Sequence, residues 1–201
     1  MYDWPYEGFT GISPAPVVQR NLRNRVSYSS FTQGANPAQY NQAAFYSYDI
    51  HGNVDMLLQD YGRSEETATQ NIMNTNNNRF KKLVYTYDLI SGKVNTVAYQ
   101  PGQPDQFYHR YRYDAENRLT EAGTSSDSVH WQQDARYEYY QHGPLARLVL
   151  GEEQVQGVDY AYTLQGWLKG GNSTQLHPEQ DMASDGLSSS QYQYIARDAV
   201  V

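Results

Sequence analysis

Five histidines, His51, His109, His130, His142 and His177, are the groups here that titrate nearest neutrality, and so the first candidates for proton transfer or metal ligation. They are scattered singly, without the His-x-x-x-His spacing or the surrounding carboxylates that a zinc site draws on. His51 and His142 each precede a glycine, the place of a turn tip. The acidic pairs Glu65-Glu66 and Glu152-Glu153 are adjacent, so in a strand their carboxylates face opposite ways and cannot flank one bond. A nucleophile elbow, a phosphate-binding loop and a dinucleotide fingerprint are all missing from the sequence. With no cysteine there are also no thiolate ligands or disulfides. The residue types and spacings predict no catalytic centre, no cofactor and no metal.

Tyrosine carries the pattern instead. Twelve of the 20 tyrosines stand in Tyr-x-Tyr doublets: Tyr46/Tyr48, Tyr85/Tyr87, Tyr111/Tyr113, Tyr137/Tyr139, Tyr160/Tyr162 and Tyr192/Tyr194. A Gly or Asn follows the second tyrosine at an offset of four residues in four units (Gly52, Asn117, Gly143, Gly166) and five in another (Gly92). Tyrosines two apart share one face of a strand, aromatic residues favour strands, and Gly or Asn supplies the positive φ of a tight turn. Each unit therefore reads as strand, turn, strand. Asp49, Asp88 and Asp114 follow the second tyrosine and are expected to accept hydrogen bonds from turn N–H groups. Phe107, His109, Tyr111 and Tyr113 alternate with Tyr108, Arg110 and Arg112, which is period two. The doublet face is expected to be the more buried one.

The doublets begin 39, 26, 26, 23 and about 30 residues apart, the excess lying in polar connectors. The chain divides into an edge or degenerate repeat over 1–42, a β-hairpin repeat sheet over 43–170, and a connector with the start of a further repeat over 171–201. A short helix is expected around Glu65 to Met73, and a Gly/Ser/Asn-rich connector from Gly170 to Ser190. A net charge of -7 and a pI near 5.1 argue against a nucleic-acid backbone as partner. No stretch reaches the roughly 18 to 20 apolar residues of a membrane span, and Met1-Tyr-Asp-Trp-Pro is unlike a signal peptide. Despite a mean hydropathy of -0.81, an aromatic content of 14% argues against disorder.

The units Tyr48-Asp-Ile-His-Gly52-Asn-Val54, Tyr87-Asp-Leu-Ile-Ser-Gly92-Lys-Val94 and Tyr113-Asp-Ala-Glu-Asn117-Arg-Leu119 resemble the YD repeats of bacterial RHS proteins, of insecticidal toxin-complex shell subunits and of the teneurin shell, over roughly residues 43 to 170. The wording is closest to the large RHS-repeat proteins of Bacteroidetes-like bacteria. The resemblance implies an all-β fold in which tandem antiparallel hairpins form a curved, spiralling sheet, part of a shell that encloses a C-terminal, toxin-like domain or scaffolds a surface assembly. It implies a secreted or cell-surface bacterial setting, with the rest of the same shell polypeptide and the enclosed domain as partners. The family's Asp-Pro-rich self-cleavage motif is not in this sequence, so no autoproteolysis carries over. Val201 follows Tyr194 by seven residues, where a turn and return strand are due, which reads as an internal fragment.

Two further expectations follow. Open sheet edges are expected to drive self-association. Trp131 and Trp167, with exposed tyrosine rings, offer the rival reading of a carbohydrate-binding surface module that stacks on glycans.

Overall fold

The computed structural model describes residues 3–9, 16–32, 40–61, 78–153 and 156–171. The expected helix near Glu65 to Met73, His177 and the doublet Tyr192/Tyr194 lie outside them. The described residues form an all-β fold of eleven strands, with one short 3-10 turn at Glu7–Phe9. The strands are β1 (Tyr28–Phe31), β2 (Gln42–Tyr48), β3 (Val54–Asp60), β4 (Phe80–Tyr87), β5 (Val94–Tyr99), β6 (Phe107–Tyr113), β7 (Leu119–Ser125), β8 (Gln132–Tyr139), β9 (Leu145–Leu150), β10 (Gln156–Tyr162) and β11 (Leu168–Gly171). Every doublet among the described residues closes the outgoing strand of a hairpin, as the period-two pattern predicts. Gly170 and Gly171, read from sequence as connector, belong to β11 and pair with Ala161 and Tyr160.

The chain forms two compact units, Met1–Tyr108 and His109–Val201. In the first, β1 to β5 are antiparallel in chain order. In the second, β7 to β11 repeat that arrangement. Within each Tyr-x-Tyr hairpin the antiparallel order follows from the short turn, because a loop of a few residues can join only antiparallel neighbours; the longer connectors between hairpins do not impose it by length.

In the first unit a cluster of Val17, Tyr40, Ala43, Phe45 and Leu58 is buried, with Tyr6, Tyr28, Met56 and Phe80 packed against it. Phe45 has no exposed surface, and its ring lies 4.8 Å from that of Tyr6 and 5.8 Å from that of Tyr28. The cluster sits on the face of β2 carrying Ala43, Phe45 and Ser47, while Tyr46 and Tyr48 on the other face are half-buried. β10 shows the same inversion, with Gly157 and Asp159 buried and Tyr160 and Tyr162 half-buried. The expectation that the doublet face is the more buried one is thus wrong for β2 and β10. Alternation shows which residues share a face, but burial depends on what lies above it, and in β2 residues distant in sequence cover the face opposite the tyrosines.

One covering segment runs beside β2. β1 pairs with its first half, Tyr28 opposite Phe45 to Phe31 opposite Gln42. Residues 19–27 take over where β1 stops: Tyr46 N–H donates to the Ser27 carbonyl at 2.9 Å, and Tyr48 N–H to that of Arg20 at 3.2 Å. The Gln19 side chain fastens this strip, its amide donating to the carbonyls of Ser27 and Tyr46 while its oxygen accepts from Tyr6 N–H at 2.7 Å.

Candidate functional site

The recurrent site is the hairpin turn with the tyrosine before it. In the β2–β3 turn, Asp49 N–H donates to the Asn53 carbonyl at 2.9 Å and Gly52 N–H to the Asp49 carbonyl at 3.3 Å. Gly52 adopts φ +99°. This is a three-residue loop, a tight turn closed by a left-handed residue that starts a bulge. The same bonds recur at Asp114/Arg118 with Asn117 at φ +62°, at Tyr140/Pro144 with Gly143, and at Thr163/Trp167 with Gly166. The β4–β5 loop is one residue longer, as the five-residue offset requires: Asp88 N–H donates to the Lys93 carbonyl and Gly92 N–H to that of Asp88. A register shift falls at the second tyrosine in β2, β4, β8 and β10.

The aspartates act as the sequence predicts. Asp49 Oδ1 accepts the N–H groups of His51, Gly52 and Asn53 at 2.8, 2.7 and 2.8 Å. Asp88 Oδ1 accepts those of Ile90 and Ser91, and Asp114 Oδ1 those of Glu116 and Arg118, with Arg118 Nε on Oδ2 at 2.7 Å. For Asp49 the upward pull of burial is outweighed by its bonds to Asn53, Gly52 and His51, which hold the carboxyl below its ordinary value. The Ser91 and Ile90 bonds lower that of Asp88, and the Arg118 bonds that of Asp114 against burial. A carboxylate fully engaged by turn N–H groups is a structural anion, not a general base.

The second tyrosine of a doublet has a job the sequence does not reveal. Tyr87 donates its hydroxyl to the carbonyl of Val54 at 2.8 Å, 33 residues back and at the start of the preceding hairpin's return strand. Tyr139 donates to the carbonyl of Leu119 at 2.7 Å, the matching position one hairpin earlier. Tyr48 donates to the Val26 carbonyl of the covering strip at 2.9 Å. Burial raises the hydroxyl pKa of all three, so they stay protonated donors at neutral pH. Tyr87 and Tyr139 each stitch one hairpin to the one before it, and Tyr48 ties its hairpin to the covering strip, which phenylalanine could not do. Between the last two described hairpins Tyr140, standing where other units have Asp, makes the stitch by donating to the Tyr160 carbonyl at 2.8 Å. Its ring stacks on His142 and meets Tyr162 edge-on.

The first tyrosines Tyr46, Tyr85, Tyr111, Tyr137 and Tyr160 are half-buried on the sheet, as is Tyr113 of the second set. Tyr85 stacks on Tyr87 with ring centres 6.4 Å apart. The two tryptophans singled out for stacking, Trp131 and Trp167, part company. Trp131 has the Arg110 guanidinium 4.3 Å from its ring centre and donates its indole N–H to the Ser128 carbonyl. Trp167 is 75% exposed beside Leu164 and Leu168 at the β10–β11 tip. His130 pairs through Nδ1 with Asp127 at 2.6 Å on an exposed loop. Among the described residues, no three His, Cys, Asp or Glu side chains converge as metal ligands would.

The sequence reading missed two ion pairs, one that joins a half-exposed arginine to a buried carboxylate and one buried on both sides. Asp60, 1% exposed, receives Arg79 on both oxygens at 2.8 Å and the Tyr40 hydroxyl at 2.9 Å. Arg147, 3% exposed, meets Asp159 at 2.8 Å, lying in space that Gly157 leaves open. Neither pair has a local spacing signal, since the partners stand 19 and 12 residues apart.

No family model matches the chain, and no curated protein matches it. Among solved structures it is similar to the Tc holotoxin pore of Photorhabdus luminescens, at 11% identity and a TM-score of 0.21, over 71% of this chain and 10% of that one. A likeness of that size carries no argument about fold or role.

Proposed function

We propose that this chain is a structural segment of a hairpin-repeat shell of the RHS or YD-repeat kind, which encloses or scaffolds a C-terminal domain or surface assembly in a secreted or cell-surface setting and does no catalysis of its own. The observation that carries this reading is that repeated polar groups are spent on backbone: aspartates on turn N–H groups, and second tyrosines on the carbonyls of the hairpin before. Such bonding builds an array by neighbour-to-neighbour contact, the energetic scheme of repeat proteins. A test is to translate the reading frame on both sides of this segment, express the longer polypeptide and challenge it with protease. More Tyr-x-Tyr hairpins and a protease-resistant enclosed domain are the expected result; a frame without further hairpins would overturn the shell reading.

The glycan-binding reading now has a smaller footprint. Arg110 covers a face of Trp131, whereas Trp167 is open to solvent, so of these two candidates Trp167 is the one placed to stack on a sugar. Trp167→Ala should abolish any fluorescence response to glycans, and no response of the native chain across a broad glycan array would end this reading.

A further inference from the structure

We infer that the outer edge of β11 is the docking site for the Tyr192–Tyr194 stretch of this same chain, with the Tyr194 hydroxyl donating to the carbonyl of Leu168. The inference rests on the hairpin-array reading and adds a specific partner to one edge.

The stitch obeys a positional rule. Tyr87 reaches the residue that opens the previous return strand, Val54, and Tyr139 reaches the equivalent Leu119. Val54 and Leu145 pair with the second tyrosine of their own hairpin across the bulge, and Leu168 holds that place opposite Tyr162. By the rule, the Leu168 carbonyl is the next acceptor. Tyr140 replaces the rule at one junction because it stands in the Asp position; in the last hairpin that position is Thr163, too short to reach a neighbouring hairpin.

Exposure marks the same place. Val54, Leu119 and Leu145, each with a later hairpin beside it, are half-buried, whereas Leu168 is 62% exposed next to Trp167 and Leu164. Among the described residues, β11 has β10 as its one strand neighbour. The chain beyond it supplies the occupant. Thirty residues follow Gly171 and carry one more doublet, Tyr192/Tyr194. Tyr194 lies 26 residues after Leu168, between the 33 that separate Val54 from Tyr87 and the 20 that separate Leu119 from Tyr139. A second copy of the chain fits less well, because its first doublet strand β2 is already flanked by β1 and residues 19–27 and its Tyr48 is already bonded to Val26.

The test is amide hydrogen exchange on the full chain, comparing native protein with Tyr194→Phe and, as internal reference, Tyr139→Phe. The expected result is protected amides at the outer edge of β11 in dilute native protein, exchanging about fivefold to tenfold faster in Tyr194→Phe, the effect of losing one net hydrogen bond. Open β11 amides in the native chain would overturn the inference, as would protection that Tyr194→Phe leaves unchanged or that rises with protein concentration, the sign of a second copy. If Tyr139→Phe loosens β7 while Tyr194→Phe changes nothing, the array reading survives and this inference fails; if neither substitution has an effect, both fail.

Discussion

Gly92 and Asn117 hold the same left-handed turn position at φ +68° and φ +62° by different means, glycine by lacking a Cβ and asparagine by tolerating that region. A Cβ on Gly92 would meet nothing within 4 Å, so any penalty there is conformational. Gly92→Asn should therefore change the thermal midpoint little, whereas Gly92→Val should lower stability by about 1–2 kcal/mol; equal losses in a denaturant titration would show that space, not φ, governs the position. This feature was legible in the sequence because the turn is local. Asp, loop and Gly or Asn lie within six consecutive residues, and their bonds depend on little outside them. Trp131 shows the reverse, since nothing near it in sequence foretold the Arg110 guanidinium over its ring.

Between elements, the energetics pass to the stitches and to close backbone approaches. Tyr139→Phe keeps the ring but removes the bond to Leu119 O, and should cost about 0.5–1.5 kcal/mol with most of the loosening at β7. An unchanged unfolding midpoint with unchanged β7 exchange would refute the stitch. At the β7–β8 bulge a Cβ on Gly123 would come within 2.8 Å of the Gln132 carbonyl oxygen, a backbone atom that cannot swing aside. Gly123→Ala should spread these two strands and lower stability more than Gly92→Asn does, read by exchange at Thr124 and Gln132. The five strand-turn-strand units followed from tyrosine periodicity. The stitches did not, since the donor and acceptor of each lie 20 to 33 residues apart and the positional rule that joins them emerges only once the strands are paired.

For the whole molecule, the turn carboxylates set how stability responds to acid. Asp49, Asp88 and Asp114 have folded values held below 3.8, as does Asp105 through its bond to Lys81. A carboxyl lowered on folding contributes stability in full above its unfolded value and loses it as the pH falls through the folded one. The thermal midpoint should thus stay level from neutrality to about pH 5 and fall below about pH 4; a midpoint that rises there on acidification would contradict the turn assignment. His130 runs the other way, raised by Asp127, so its contribution is present below 6.5 and lost as the pH climbs through its folded value. With 88% of its side chain exposed, solvent screening keeps that effect small. By itself the sequence determined the repeating hairpin, the turn chemistry and the all-β class, because each depends on φ preferences and alternation within a few residues. Only the tertiary structure decided which face of β2 is buried, how the phenols join successive hairpins, and where Arg79 and Arg147 find Asp60 and Asp159. Those outcomes depend on which distant segments meet, and burial and long-range hydrogen bonds are set by that meeting rather than by local residue type.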